Sequence, residues 1–355
     1  MNRTKNTSGI EDFDALNSQS PLGNFFQSRQ FYEILKLADR APFFLTASEA
    51  RSAGLLAYTL PDTRFISRFF PNLIVYYGPI LGKNANSNTL DNLLRQLKKE
   101  AQKRGAVRVD IRTPCPFREM HNVFVKNGYV RYDPGGEYSV VINLTKDENT
   151  LWREMNSGAR RDVKRAIQSS VKIKEVADKR DLCSFYEIYV RTARRRNFVP
   201  YSFDFFNAIR LKLEPSGVAK SFLAWRGGIP IAGILNTIYN DQSVVFINAS
   251  LREYWNHRPN HLLHWHSICW SKNEAKAKTF KLYHLPKSRS LKNGIDYYSF
   301  KTSLGGNLIH ECYFYYKIVS QIKWQVLETP SKLLQIGNAI RILQHAQRMR
   351  KSGIA

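Results

Sequence analysis

Apolar residues recur along this chain in two alternating periodicities. Residues 27–36 carry Phe31, Ile34 and Leu35 at the spacing of one helix face. Short runs follow at 43–46, 54–60 and 73–78. They are rich in β-branched and aromatic side chains and are broken by Gly, Pro and Asn, which predicts strands. Residues 89–104 read as a basic amphipathic helix stopped by Gly105. A strand at 107–111, a helix at 118–126, a strand through Tyr129 and another at 138–144 complete a first pass. The last follows a turn at Pro134, Gly135 and Gly136.

The pattern then repeats. Residues 146–169 predict one long basic helix, 171–176 an alternating strand, and 181–196 and 202–213 two more helices. Strands at 221–225 and 229–238 flank Arg226-Gly227-Gly228, a hairpin signal. A strand at 243–249, a helix at 260–278, a strand at 280–284 and a last strand at 312–317 follow, with a basic helix at 331–350. Element order repeats without residue-level repetition, which predicts an α+β fold of two tandem lobes. Each is a mixed, largely antiparallel sheet flanked by helices. The expected division is a loose polar leader at 1–24, a first lobe at 25–145, a second lobe at 146–320 that includes the basic inter-lobe helix, and a helical tail at 321–355. A chain of 355 residues suits two cores. No GxGxxG follows a strand and no P-loop occurs, which argues against a doubly wound nucleotide fold.

Charge narrows the partners. Lys and Arg number 54 against 29 Asp and Glu, a net +25, which favours phosphates, RNA or an anionic membrane surface. Cys115, Cys183, Cys269 and Cys312 lie far apart, as expected of reduced thiols. The first 30 residues hold no continuous apolar core, and no run of 18 apolar residues occurs. The expected location is therefore the cytoplasm, with any membrane contact peripheral, at the inner face.

Five constellations could carry chemistry. Arg160, Arg161, Lys164 and Arg165 form i, i+4 pairs on a helix, suited to phosphate oxygens or simply to solvent. Arg195 and Arg196 end another helix, where the dipole alone favours cations. His261, His264 and His266 lack the carboxylate of a metalloprotease motif, so core histidines or phosphate contacts are expected and no metal site. Lys301 follows Phe300 beside a Gly-rich turn, in an expected strand, where an ammonium could steady an acyl-transfer oxyanion. Asp110 is expected at the end of its strand. No GxSxG and no Cys-His pair suggests direct transfer with no covalent enzyme intermediate.

The segment 151-LWREMNSGARRDVKRAIQSSVKIKEV-176 resembles the inter-lobe segment of the FemAB aminoacyltransferases. The stretches 27-QSRQFYEILK-36, 224-AWRGGIPIAGIL-235, 248-NASLREYWNHRPNHLLHWHSI-268 and 298-YSFKTSLGG-306 follow in that family's order. The resemblance implies two GNAT-type lobes and an aminoacyl transfer from aminoacyl-tRNA to an amine of a nucleotide- or lipid-linked peptidoglycan precursor. No bound cofactor is implied. It further implies that Lys301, with Phe300, supports the transferring carbonyl and that Lys36 contacts the precursor's diphosphate. Asp110 matches a strand-end Asp considered as a base. The second phosphate-contacting Arg has no match, and Arg195 or Arg196 could substitute. Tyr254 falls in a cleft segment, and His284, Pro286 and Lys287 replace the Asp-Gly-Gly that often precedes the Phe-Lys pair. In direct attack, the amine proton is expected to pass to bound water or a substrate phosphate. The alternatives are an acyl-CoA-dependent N-acyltransferase acting on another amine or sugar, and a non-catalytic RNA- or membrane-binding protein.

Overall fold

A computed structural model describes residues 5–38, 40–47, 52–59, 70–114, 120–285 and 297–327. The expected tail helix at 331–350 lies outside them. From Lys5 onward the leader is not loose. Residues Lys5–Gln19 form helix α1, which buries Ile10 and Phe13 against the first strands. Its polar composition hid those two apolar anchors. Asn17 ties it onward, donating to Asn24 O (3.0 Å) and to Tyr239 Oη (2.7 Å).

Helix α2 (Arg29–Leu37) is capped by Ser28, whose hydroxyl accepts from Phe31 N, and it buries Phe31, Ile34 and Leu35 as its periodicity requires. Strands β1 (Phe43–Thr46), β2 (Ala53–Thr59), β3 (Asn72–Tyr76) and the short β4 (Ile80–Leu81) lead to α3 (Ser87–Lys103). Asn86 and Thr89 form a reciprocal cap there, and Leu90, Leu93, Leu94 and Leu97 are fully buried on one stripe. Burying each leucine is worth about 1.5–3 kcal/mol. Strand β5 (Arg108–Pro114), α4 (His121–Lys126) and β6 (Val130–Asn143) complete the first pass.

The expected long basic helix is two helices, α5 (Glu148–Glu154) and α6 (Ser157–Gln168). Asn156 breaks it. Its backbone is extended and its side chain accepts from Ala159 N (2.8 Å), which starts a new helix. Then come β7 (Lys172–Glu175), α7 (Lys179–Arg196), α8 (Phe203–Lys212), β8 (Ala219–Arg226) and β9 (Ile229–Tyr239). The hairpin at Gly227 and Gly228 forms as expected, both with positive φ. Strand β10 (Gln242–Ser250), α9 (Pro259–Asn273), β11 (Thr279–Leu285), α10 (Tyr297–Thr302) and β12 (Asn307–Ile318) follow.

The strands join in one sheet of order β1-β2-β3-β5-β12-β6-β11-β10-β9-β8-β7, with β4 paired to β2. Two neighbouring pairs are parallel, β3 with β5 and β10 with β11, and helices α3 and α9 make the crossovers that parallel pairing requires. The two halves are thus built alike, but they are not separate sheets. Strand β12, expected in the second lobe, inserts between β5 and β6, and β6 reaches across to β11. The final strands of the two passes are exchanged, which fuses the lobes through continuous backbone hydrogen bonding.

Candidate functional site

A cavity of about 1040 Å³ opens where the passes meet. Its walls come from β3 and β5 on one side and β10, β11, α10 and the starts of α6 and α9 on the other, with the end of α7 at the rim. Arg112, Arg196, Arg258 and Lys301 line it. The one carboxylate among the lining residues is Asp162, which pairs with Arg258 (3.2 Å) and His261 (3.5 Å).

The loop from β10 to α9 is held by side chains. Trp255 Nε1 and Asn260 Nδ2 both donate to Ser250 Oγ, at 2.9 and 3.1 Å, and Asn248 Nδ2 donates to Asn260 Oδ1 (3.2 Å). Arg258 then turns into the left-handed region (φ 57°) and Pro259 opens α9 with no side-chain cap. Gly158, in the first turn of α6, lines the same cavity. Two helix N-termini therefore direct positive partial charge into a space already lined by cations.

Lys301 stands on α10, a helix where a strand was expected. The SLGG turn that follows carries Gly305 and Gly306 at positive φ and sends the chain back into β12. Lys301 Nζ donates to Tyr283 O, a carbonyl of β11. Burial lowers its pKa to about 8, with Glu137 opposing and Arg196 assisting. It remains an ammonium at neutral pH. Phe300 packs edge-on against His261 and His264, with ring centroids 4.8 and 5.0 Å apart.

Both histidines are held neutral. Burial brings His264 down to about 3, although its Nδ1 meets Asn260 O at 2.7 Å. Burial also brings His261 down to about 4, against the pull of Asp162. Among the described residues no cluster of three or more His, Cys, Asp or Glu side chains could hold a metal. The unfolded chain takes up these protons near 6.5, the native chain only near 3 to 4. Stability is thus present above pH 6.5 and lost as pH falls from there towards 4, by up to about 1.4 kcal/mol per pH unit for each histidine. His264→Gln is expected to flatten that slope relative to wild type in urea titrations between pH 4.5 and 6.5. Parallel slopes would contradict it.

A second group of charges backs the floor. Glu137 on β6 is buried, and its Oε2 meets His284 Nδ1 at 3.0 Å and Arg112 Nη1 at 3.3 Å. Tyr77 Oη donates to its other oxygen. Arg112 Nη1 also donates to Tyr76 Oη (3.1 Å), and Tyr76 Oη meets His284 Nε2 at 3.1 Å. Burial pushes the Glu137 carboxyl up, but His284, Arg112 and Tyr77 together hold it down at about 2, so it is a carboxylate.

The structure brings Lys301, Phe300, His284 and Arg196 together at the cavity, with Arg196 4.2 Å over the Tyr297 ring. It does not bring the others there. Arg160 closes the end of α5, donating to Arg153 O (2.9 Å) and Met155 O. Arg161, Lys164 and Arg165 are exposed on the outer face of α6, where Ala159, Val163 and Ala166 take the buried side. Arg195 donates to Ser250 O (3.1 Å) and covers Trp255, which steadies the β10–α9 loop. Lys36 is exposed beside Glu33 and Tyr32. Tyr254 packs half-buried on the core next to the lining Trp255. Asp110 is mid-strand, not at a strand end, and is bound by Arg108. Lys287 lies outside the described residues. Arg112, Glu137, Tyr76 and Arg258 escaped the sequence reading. The alternation of Arg108, Asp110 and Arg112 with apolar residues on one strand was the available signal.

Residues 156–287 match the family described as Acetyltransferase (GNAT) domain. Among solved structures, FemX is similar with a TM-score of 0.69 and 15% identity, over 90% of this chain and 98% of that one. A tandem GNAT protein from the clavulanic acid biosynthesis pathway follows at TM-score 0.57 and 12% identity, over 90% and 96%. The C-terminal domain of a putative lysylphosphatidylglycerol synthetase from Agrobacterium fabrum gives 0.55 and 10%, over 93% and 96%. No curated protein sequence matches the chain. The fold, the matched segment and the cavity define an acyltransferase built on the GNAT fold. Its architecture is FemAB-like, with two related halves around one site.

Proposed function

We propose that this acyltransferase moves an aminoacyl group from aminoacyl-tRNA onto an amine of a nucleotide- or lipid-linked peptidoglycan precursor. The observation that carries the reading is Lys301. It is a charged ammonium, anchored to Tyr283 O, at the wall of a cavity that also holds Arg196, Arg258 and two helix N-termini. Both proposed substrates are polyanions, and the cations and helix N-termini at the cavity favour anions. Lys301 stabilises the oxyanion formed when the amine attacks the acyl carbon directly, while Phe300 packs α10 against His261 and His264. The outer cations of α6 and the +25 net charge offer a track for the tRNA backbone or an anionic membrane surface at the inner face of a cytoplasmic membrane. No helix among the described residues is long and apolar enough to cross a membrane.

A CoA donor is the second reading, because the uncapped start of α9 would receive a diphosphate equally well. Thermal shift separates the two. Stabilisation by aminoacyl-tRNA and by nucleotide-linked muropeptide, and none by acetyl-CoA, is the expected result. Saturable stabilisation by acetyl-CoA alone would reject the tRNA reading.

A further inference from the structure

We propose that His284 is the general base of the transfer, that Tyr76 relays the proton to it, and that Glu137 is its positioning residue. The inference rests on the reading above. It replaces bound water or a substrate phosphate as the proton acceptor.

Strand β11 runs in register with β6 up to Leu282, slips, and resumes at Leu285. Within that bulge His284 adopts φ 66°, a conformation a non-glycine residue holds only when its surroundings impose it. The result aims the imidazole into the cavity with its ring 53% exposed, while the Glu137 carboxylate behind it is 7% exposed. The preceding residue supplies the carbonyl that anchors Lys301. One bulge therefore sets both the oxyanion cation and the imidazole.

The hydrogen bonds place a proton on Nδ1. Glu137, beside the Arg112 guanidinium and accepting from Tyr77, only accepts, so Nδ1 of His284 donates to it at 3.0 Å. In the neutral imidazole, the form a general base needs, Nε2 is then the acceptor. Arg112 only donates, so Tyr76 Oη accepts from Arg112 and turns its own hydrogen to Nε2 at 3.1 Å. Tyr76 Oη keeps a second lone pair, and both Tyr76 and His284 line the cavity. A lone arginine–glutamate pair would not need a tyrosine and a strained histidine between it and the open space.

The step balances. The amine lone pair forms the N–C bond to the acyl carbon, and the carbonyl π electrons move to oxygen beside Lys301. A proton leaves the attacking nitrogen for Tyr76 Oη while the tyrosine hydrogen passes to His284 Nε2. The oxyanion then collapses and breaks the acyl carbon–oxygen ester bond. The departing alcohol oxygen takes the proton back along the same path. No oxidant or further reactant enters.

The test is transfer of label from a mixed pool of radiolabelled aminoacyl-tRNA to nucleotide-linked muropeptide, with kcat and KM measured separately. His284→Ala is expected to lose about 10²-fold or more in kcat with KM within about twofold. Added imidazole should restore much of the loss. His284→Gln, which keeps a polar contact with Glu137 and accepts no proton, should show the same loss without the rescue. Tyr76→Phe should fall between. In nitrogen NMR of the wild type, the neutral form of His284 is expected as the single Nδ1–H tautomer, and Glu137→Gln should mix the tautomers, which a merely structural glutamate would not do. Full kcat in both His284 variants, with activity lost in Lys301→Met, overturns the relay and leaves the site reading intact. Full activity in all three overturns the site reading as well.

Discussion

Lys301→Met is expected to reduce kcat by about 10²-fold or more while the protein melts at or above the wild-type temperature at pH 7. The two effects have one origin. The ammonium is held where burial depresses its pKa to about 8, so the folded state gives up stability to keep the charge. Methionine fills similar space without that cost. Because the folded pKa lies below the ordinary lysine value of 10.5, the native state sheds its proton first as pH rises. Wild type should therefore gain stability between pH 8 and 10.5, and the variant should not. The rate should run the other way. At saturating acceptor, wild-type kcat should fall as pH rises through about 8, and that limb should vanish in Lys301→Met. Unchanged turnover in the variant would remove Lys301 from the chemistry. A large loss of melting temperature would instead make it a structural residue.

Gly306→Ala is expected to cost about 3 kcal/mol of stability and to impair transfer in the protein that remains folded. Gly306 has φ 84°, and a Cβ there would stand 2.5 Å from Val141 O and 2.8 Å from Ile142 Cγ1. The backbone conformation alone costs a non-glycine residue about 1–2 kcal/mol. Overpacking adds about 1–3 kcal/mol, because β6, which carries Val141, is paired on both sides and cannot recede. The turn also sets α10, so relief of the clash would displace Lys301. A urea midpoint that falls with an unchanged slope would report the loss. An unchanged midpoint would show that the turn accommodates the methyl group.

Much of the secondary structure was legible because it rests on local periodicity. Leu90, Leu93, Leu94 and Leu97 announce α3, and the Gly227-Gly228 pair announces its hairpin. Spacing alone singles out Lys301 and Phe300 only weakly; it is the resemblance to the FemAB Phe-Lys pair that marks them, and the pattern there predicts a strand where a helix forms. The helix break at Asn156 was missed, since Asn inside a basic run looks like another polar surface residue until its cap forms. The basic face of α6 is legible as a cationic surface, but its place outside the cavity is not. Spacing groups Arg160, Arg161, Lys164 and Arg165, yet the buried stripe of Ala159, Val163 and Ala166 turns three of them outward and leaves Arg160 to close α5. Arg112, Glu137 and Tyr76 carried no motif, because each is separated from its partners by tens of residues.

The kinds of element, their doubled order and the surplus of cations can be read along the chain. Local spacing and composition suffice for these, since each depends on residues within a few turns of one another. Long-range pairing is what carries β12 into the first half of the sheet and what, through a bulge in β11, turns His284 towards Tyr76 and Glu137. Those outcomes depend on which distant strands pair, and pairing is settled by the burial of whole faces and not by any segment alone.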